Sequence, residues 1–195
     1  MKIHALILAG GAGSRLGGVD KARLRIGNVA LIDRVIDRLG EVSSLLVATG
    51  PEMPHALPKG IAIPDHSDKH LGPMAGVAAA LRHLRPLAGP DDILASVAVD
   101  TPFLPSDFLA RIVQPISDGA AASLAVWKEQ FYPTNAAFRL SEVPEILPDS
   151  PKALLASMGA VKIDWSVDQA LNPFGNVNTL ADLVAMSRRA QSVEE

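Results

Sequence analysis

The chain has 195 residues, enough for one domain with a full core and too few for two ordinary domains with separate cores. Its 48% hydrophobic and 20% charged residues suit a well-buried globular unit, and zero cysteines exclude a disulfide framework, a thiol nucleophile and any cysteine-based zinc or iron–sulfur site. A net charge of −3 with 4% aromatic residues argues against a general nucleic-acid or membrane binder, which needs a basic face.

Short apolar runs of β type alternate with segments of helical period, the pattern of a mostly parallel sheet with helices on both faces: one three-layer α/β/α domain over residues 1–190, with 191–195 a tail. The first strand is 3–8. It ends in glycines and is shorter than a signal-peptide core or a membrane span, so the cytoplasm is the expected location. After a glycine-rich loop, residues 30–39 place Leu31, Ile32, Val35, Ile36 and Leu39 on one helical stripe. Residues 45–48 and 61–63 read as short strands. An Ala-rich helix over 77–84 is opened by Gly72-Pro73-Met74-Ala75-Gly76, where Pro near the start is tolerated. Residues 93–99 form the next strand, stopping at Asp100-Thr101-Pro102, and 105–113 a helix with Ser106 as a candidate cap. Beyond it, 121–127 and 135–138 read as strands, an antiparallel pairing among the options. Residues 152–158 and 180–189 read as helices.

The strongest chemical signal is Leu8-Ala9-Gly10-Gly11-Ala12-Gly13-Ser14-Arg15-Leu16-Gly17-Gly18-Val19-Asp20-Lys21. A glycine-dense loop leaving a buried strand lets backbone N–H groups approach a polyphosphate closely, because glycine lacks a Cβ and accepts positive φ. Arg15 can clamp two phosphate oxygens and Lys21 adds a point charge. With Arg23 and Arg25 they make a basic segment, opposed by Asp20 alone, in an acidic protein. The glycines also fit a loose dinucleotide fingerprint, but that needs a helix starting near Gly13, which Gly17, Gly18 and Asp20 interrupt. No YxxxK pair supports a reductase.

The loop resembles the signature of nucleotidyltransferases of the Rossmann-like nucleotide-sugar transferase fold, and Gly17-Gly18-Val19-Asp20-Lys21 is similar to the molybdenum cofactor guanylyltransferase family in particular. Gly72-Pro73-Met74-Ala75-Gly76, Asp100-Thr101-Pro102 and Asn176-Val177-Asn178-Thr179 resemble further motifs of that family, in its order and over nearly the whole chain. Leu16, Met74 and Leu180 depart from it by apolar exchanges. Ala48 or Thr49 stands where the family can place a base-contacting asparagine, and Pro151-Lys152 where arginine is more frequent.

The resemblance implies Mg²⁺-dependent transfer of GMP from GTP to the phosphate of molybdopterin or its molybdenum-loaded form, with pyrophosphate released. It implies Arg15, Lys21 and Asp100 as catalytic residues, and a nucleotide seat of Leu8, Ala9, Gly10, Gly11, Gly13, Lys21, Asp65 and Asp100. Gly76, Asn176 and Asn178 are the candidate acceptor contacts, and cofactor-delivery proteins or molybdoenzymes are candidate partners. Asp100 ends a buried strand at the edge where open α/β sheets bind ligands, which suits a Mg²⁺ ligand, though an Asp there can also merely cap a turn. Asn178 reads as a further metal ligand or as the N-cap of the last helix, with Thr179 and Asp182 a capping-box-like pair. Asp65, with Asp68 as its rival, can accept two donors from a guanine edge. Alternatives left open are a cytidylyltransferase on the same pterin, a sugar-phosphate nucleotidyltransferase and a non-catalytic nucleotide-binding module. His4, His55, His66, His70 and His83 show no zinc spacing.

Overall fold

The computed structural model describes residues 1–10, 12–13, 19–50, 57–64 and 72–194, with the backbone alone at 12–13 and 192–194. Its centre is a mixed sheet built from β1 (Ile3–Leu8), β6 (Ser44–Ala48), β7 (Ile61–Ile63), β8 (Ile93–Ala98), β9 (Ala122–Trp127), β10 (Gln130–Arg139) and β11 (Val161–Asp164). The spatial order is β11-β9-β10-β8-β1-β6-β7. Only β10 runs against the rest, pairing antiparallel with both β8 and β9. Two short hairpins, β2 (Ala12–Gly13) with β3 (Val19–Asp20) and β4 (Arg25–Ile26) with β5 (Val29–Ala30), follow β1.

The period-2 pattern of the strands sorts their side chains between two cores. Ala5, Ile7, Leu45, Val47, Ile93, Ala95 and Val97 face α1 (Leu31–Leu39) and α3 (Phe108–Ser117). Leu6, Leu46, Ala48 and Leu94 face α2 (Pro73–Leu84) and α4 (Pro151–Ser157). Both faces are covered, so β1 and β8 carry almost continuous apolar runs, as buried parallel strands must. The α1 stripe is buried as expected, and Gly40, at φ 65°, ends that helix in a conformation a side chain would strain.

The topology also creates a crevice. From β1 the chain passes through α1 to β6 on one side, then returns through α2 to β8 on the other. Loops leaving the carboxyl ends of β1 and β8 therefore diverge at that edge, the usual ligand position in such sheets.

Several elements differ from the sequence pattern, among them α2, which begins at Pro73 rather than at 77. β10 is ten residues long rather than confined to 135–138, because its register shifts between Tyr132 and Ala136. That bulge swaps the alternation: Tyr132 and Ala137 share one core although their parity differs. β11 escapes the pattern because only Ile163 is even partly buried in this short edge strand. α3 begins at Phe108, with Ser106 outside it, and runs on through Pro115. Asp107 precedes it without capping, since its carboxylate accepts from Trp165 Nε1 at 3.2 Å and pairs with Arg111 at 3.4 Å. The closing helix α5 spans Leu180–Glu194, beyond the expected end at 189.

The amino edge of the sheet is fastened by Asp92. Its carboxylate accepts from the N–H groups of Lys2 at 2.7 Å and Gly89 at 2.9 Å, while His4 lies between it and Ser44, 2.7 Å from the Ser44 hydroxyl. The Gly89 N–H is the main influence holding the Asp92 carboxyl below its ordinary value, opposed by burial and helped by Lys2 and His4. A carboxyl that binds its proton less readily when folded stabilises the fold above its unfolded pKa and loses that effect as pH falls through the folded one. Asp92→Ala should therefore cost about 1–3 kcal/mol near neutral pH, leaving two N–H groups without their acceptor. In thermal melts the gap to wild type should narrow below about pH 4.

Candidate active site

Lys21 reaches the carboxyl edge because the chain doubles back on itself. Ala12 and Gly13 pair with Asp20 and Val19, so the segment that leaves β1 returns beside it. Asp20 then accepts the Ala22 N–H at 3.0 Å and caps a single 3-10 turn over Lys21–Arg23. The turn closes with the Leu24 N–H on the Lys21 carbonyl, and the Lys21 backbone is thereby fixed. The dinucleotide reading finds no support on the same segment: Gly13 lies in β2, and among the described residues the first α-helix after β1 starts at Leu31.

Asp100 follows β8 in a tight turn. The buried Thr101 returns both its hydroxyl, at 2.6 Å, and its N–H to the Ala98 carbonyl, and Leu104 N–H closes onto Thr101. One strand over, the fully buried Asn135 accepts the Ala98 N–H at 3.0 Å, just beyond the last β8–β10 pair, Ser96 with Ala136. The backbone carrying Asp100 is braced from both sides.

Asn178 arrives from the far end of the chain. The Val177 N–H donates to the Asp100 carbonyl at 3.0 Å, and the Val177 side chain is buried with Ile26, Leu31 and Ala190 in a small core beneath α5. That core joins the last helix to the hairpin just after Lys21. Thr179 is the actual helix cap: its hydroxyl accepts from Asp182 N–H at 3.1 Å, and Asp182 accepts from Thr179 N–H at 2.8 Å. Asn178 stands one residue earlier, its own N–H on Asp182 at 3.0 Å and its side-chain oxygen turned to Lys21. The Asp182 carboxyl is held below its ordinary value by the Thr179 hydroxyl first, then by the Asn178 and Thr179 N–H groups and the Lys21 charge, against burial.

These three parts meet at one ammonium. Lys21 Nζ donates to Asp100 Oδ2 at 2.9 Å and to Asn178 Oδ1 at 2.7 Å, with the Lys21 and Asp100 side chains only 14% and 15% exposed. Two hard oxygens already hold a cation here, so the donor set fits Mg²⁺, which takes one or two protein ligands and completes its shell with phosphate oxygens and water. Among the described residues no cluster of three or more acidic or histidine side chains offers an all-protein cage.

Around this centre, Leu8 accepts the Val99 N–H and Ala9 donates to the Ala48 carbonyl, so the strand end emerges at the exposed Gly10. Gly50, at φ 78°, lies so close that a Cβ there would sit 3.4 Å from Gly10 Cα. Gly76 is buried in the first turn of α2, while Asn176 is exposed and its side chain is not brought to Lys21. Gly11, Arg15 and Asp65 lie outside the described residues, as does the rival Asp68. Sequence reasoning missed the supporting roles of Asp20, Asn135 and Val177, and also the aromatic group in which Phe108, Tyr132 and Trp165 pack around Phe174. Thr49, noted for its position after β6, has a buried hydroxyl with no hydrogen-bond partner among the described residues.

A basic side chain, a carboxylate and an amide gathered where β1 and β8 part suit the handling of a triphosphate, and the chain is a nucleotidyltransferase. It belongs to the MobA-like NTP transferase domain family, whose model matches residues 5–171. A molybdenum cofactor guanylyltransferase of Sinorhizobium fredii is 34% identical over 188 residues, covering 90% of this chain and 86% of the relative. One of Rhodobacter capsulatus is 33% identical over 195 residues, covering 97% of each. In fold, the chain is similar to the crystal structure of molybdopterin-guanine dinucleotide biosynthesis protein A from Archaeoglobus fulgidus, with TM-score 0.71 and 22% identity over 98% of this chain and 100% of that one. It is also similar to 2-C-methyl-D-erythritol 4-phosphate cytidylyltransferase from Thermus thermophilus, at TM-score 0.68 and 17% identity, covering 98% of this chain and 100% of that one.

The reciprocal cap gives a direct test. Asp182→Ala and Thr179→Ala should each cost about 0.5–2 kcal/mol in urea unfolding. Because the two share one motif, the double variant should cost less than the sum.

Proposed function

We propose that this chain transfers the guanylyl group of GTP to the phosphate of molybdopterin, or of its molybdenum-loaded form, and releases pyrophosphate. The observation that carries the reading is the Lys21, Asp100 and Asn178 cluster at the carboxyl edge, in a chain about a third identical over most of its length to proteins named for guanylyl transfer to the molybdenum cofactor.

The acceptor phosphate oxygen attacks the α-phosphorus, a new P–O bond forms, and the bond from the α-phosphorus to the bridging oxygen of pyrophosphate breaks. That nucleophile is already anionic near neutral pH, so the chain need not supply a strong base. Its task is alignment and charge neutralisation. In this reading Leu8, Ala9, Gly10, Gly11 and Gly13 seat the nucleotide with their backbone, and Arg15 and Lys21 neutralise the phosphates. Asp65 reads the guanine edge. Asp100 and Asn178 would hold Mg²⁺, which when bound neutralises charge on the departing pyrophosphate. Gly76, Asn176 and Asn178 are the acceptor contacts that this reading carries over from the family motifs. The absence of cysteine fits a reducing compartment, and the proposed setting is the cytoplasm, with delivery proteins or molybdoenzymes receiving the product. Among the described residues no helix is long and apolar enough to cross a membrane.

Turnover with GTP, Mg²⁺ and molybdopterin, read as acceptor-dependent pyrophosphate release, tests this. Asp100→Ala should lower the rate by roughly 10²–10³-fold while reducing GTP affinity much less. An unchanged rate in that variant would contradict the assignment. Turnover with CTP in place of GTP would keep the chemistry and change the product.

A further inference from the structure

We propose that Lys21 and the divalent cation are alternative occupants of one oxygen-lined position, so that the ammonium must leave before the metal enters, and that the triphosphate draws it away. The inference rests on the transferase reading above and deepens it into an order of binding.

The geometry begins with the oxygens. Asp100 Oδ2 and Asn178 Oδ1 both converge on Lys21 Nζ, at 2.9 and 2.7 Å. Their backbones do not depend on that ammonium: Val177 N–H binds the Asp100 carbonyl, Asn135 braces the strand end at Ala98, and Asp182 fixes the Asn178 N–H. The backbone positions that carry the two acceptors are therefore held independently of the lysine head.

A metal ion using both oxygens must come closer to them than the ammonium does, at roughly 2.0–2.1 Å for Mg²⁺. Two cations cannot share that space. Within a setting where the flanking side chains are only 14% and 15% exposed, their repulsion is poorly screened. Lys21 is built to move, since its backbone is pinned by the 3-10 turn capped by Asp20 while the head rides on a flexible four-carbon stem. The hairpin of Ala12–Gly13 with Val19–Asp20 ends at Lys21, so the proposed phosphate loop lies immediately before it in the chain.

Two consequences follow. Without nucleotide, the metal must displace a well-placed internal cation and binds weakly. A triphosphate offers Lys21 other oxygens, releases Asp100 and Asn178, and tightens metal binding; by linkage the metal tightens nucleotide binding by the same factor.

The test is Mn²⁺ alone, titrated into the folded full chain and followed by the electron paramagnetic resonance signal of the free ion. Lys21→Met should bind one equivalent at least ten-fold more tightly than wild type, and Lys21→Gln should behave alike, with thermal melts confirming that both are folded. Arg23→Met removes an equal charge from an exposed neighbour and should leave affinity unchanged, while adding Asp100→Asn to Lys21→Met should abolish the gain. A non-hydrolysable α,β-methylene analogue of GTP should tighten Mn²⁺ binding in wild type by at least ten-fold, and by much less in Lys21→Met. The proposal is overturned if both folded Lys21 variants bind Mn²⁺ no better than wild type, or if Arg23→Met gains as much. If the analogue binds nowhere while Lys21→Met keeps its gain, the transferase reading fails and the competition of the two cations stands.

Discussion

An ammonium taken mostly out of water must be met by acceptors, and Lys21 meets two that come from positions 79 and 157 residues further along the chain. Bringing a loop near the start, a strand end in the middle and a turn near the finish to one point constrains most of the topology. β1 and β8 must be parallel neighbours so that their carboxyl ends lie together. The first loop must fold back as a hairpin, and the last helix must be anchored close enough to present Asn178. The small core of Ile26, Leu31, Val177 and Ala190 does this last task, tying the segment after Lys21 to the helix after Asn178.

The supporting shell is made mainly of backbone N–H groups and their acceptors. Asp20, Asn135, Thr101 and Asp182 each satisfy a backbone group beside a site residue, so the site is held on a hydrogen-bonded frame. The opposite edge of the sheet uses the same device, with Asp92 collecting two N–H groups beside His4. One edge is fastened by Asp92, while the other presents the Asp100 carboxylate and the Lys21 ammonium, which is where phosphate chemistry needs them.

Much of this was legible in the sequence because parallel strands buried on both faces leave continuous apolar runs, and because glycine and proline punctuate the loops after them. β1, β6, β7 and β8 fall within a residue of their expected bounds. Lys21, Asp100 and Asn178 were identifiable as polar residues at strand or helix ends within motifs. Their mutual contact was not, since it depends on tertiary closure that no local pattern encodes. The β10 bulge erased the alternation that would have revealed a ten-residue strand, and β11 has too little burial to produce one. Asn135 looked like an ordinary strand residue. Its role, accepting the Ala98 N–H beyond the last β8–β10 pair, depends on a partner 37 residues away in the chain. Asn178 was legible as a cap, but Thr179 took that place and left the asparagine side chain for the lysine.

The most direct measurement is thermal stabilisation by GTP, CTP, ATP and NADPH, each with and without Mg²⁺. A ligand at about 100 times its Kd stabilises by roughly 2.7 kcal/mol. For a chain of this size that corresponds to a Tm rise on the order of 5–10 °C. GTP and Mg²⁺ together should give such a rise, larger than either alone or the other nucleotides. A response to NADPH alone, with none to any triphosphate, would contradict the transferase reading.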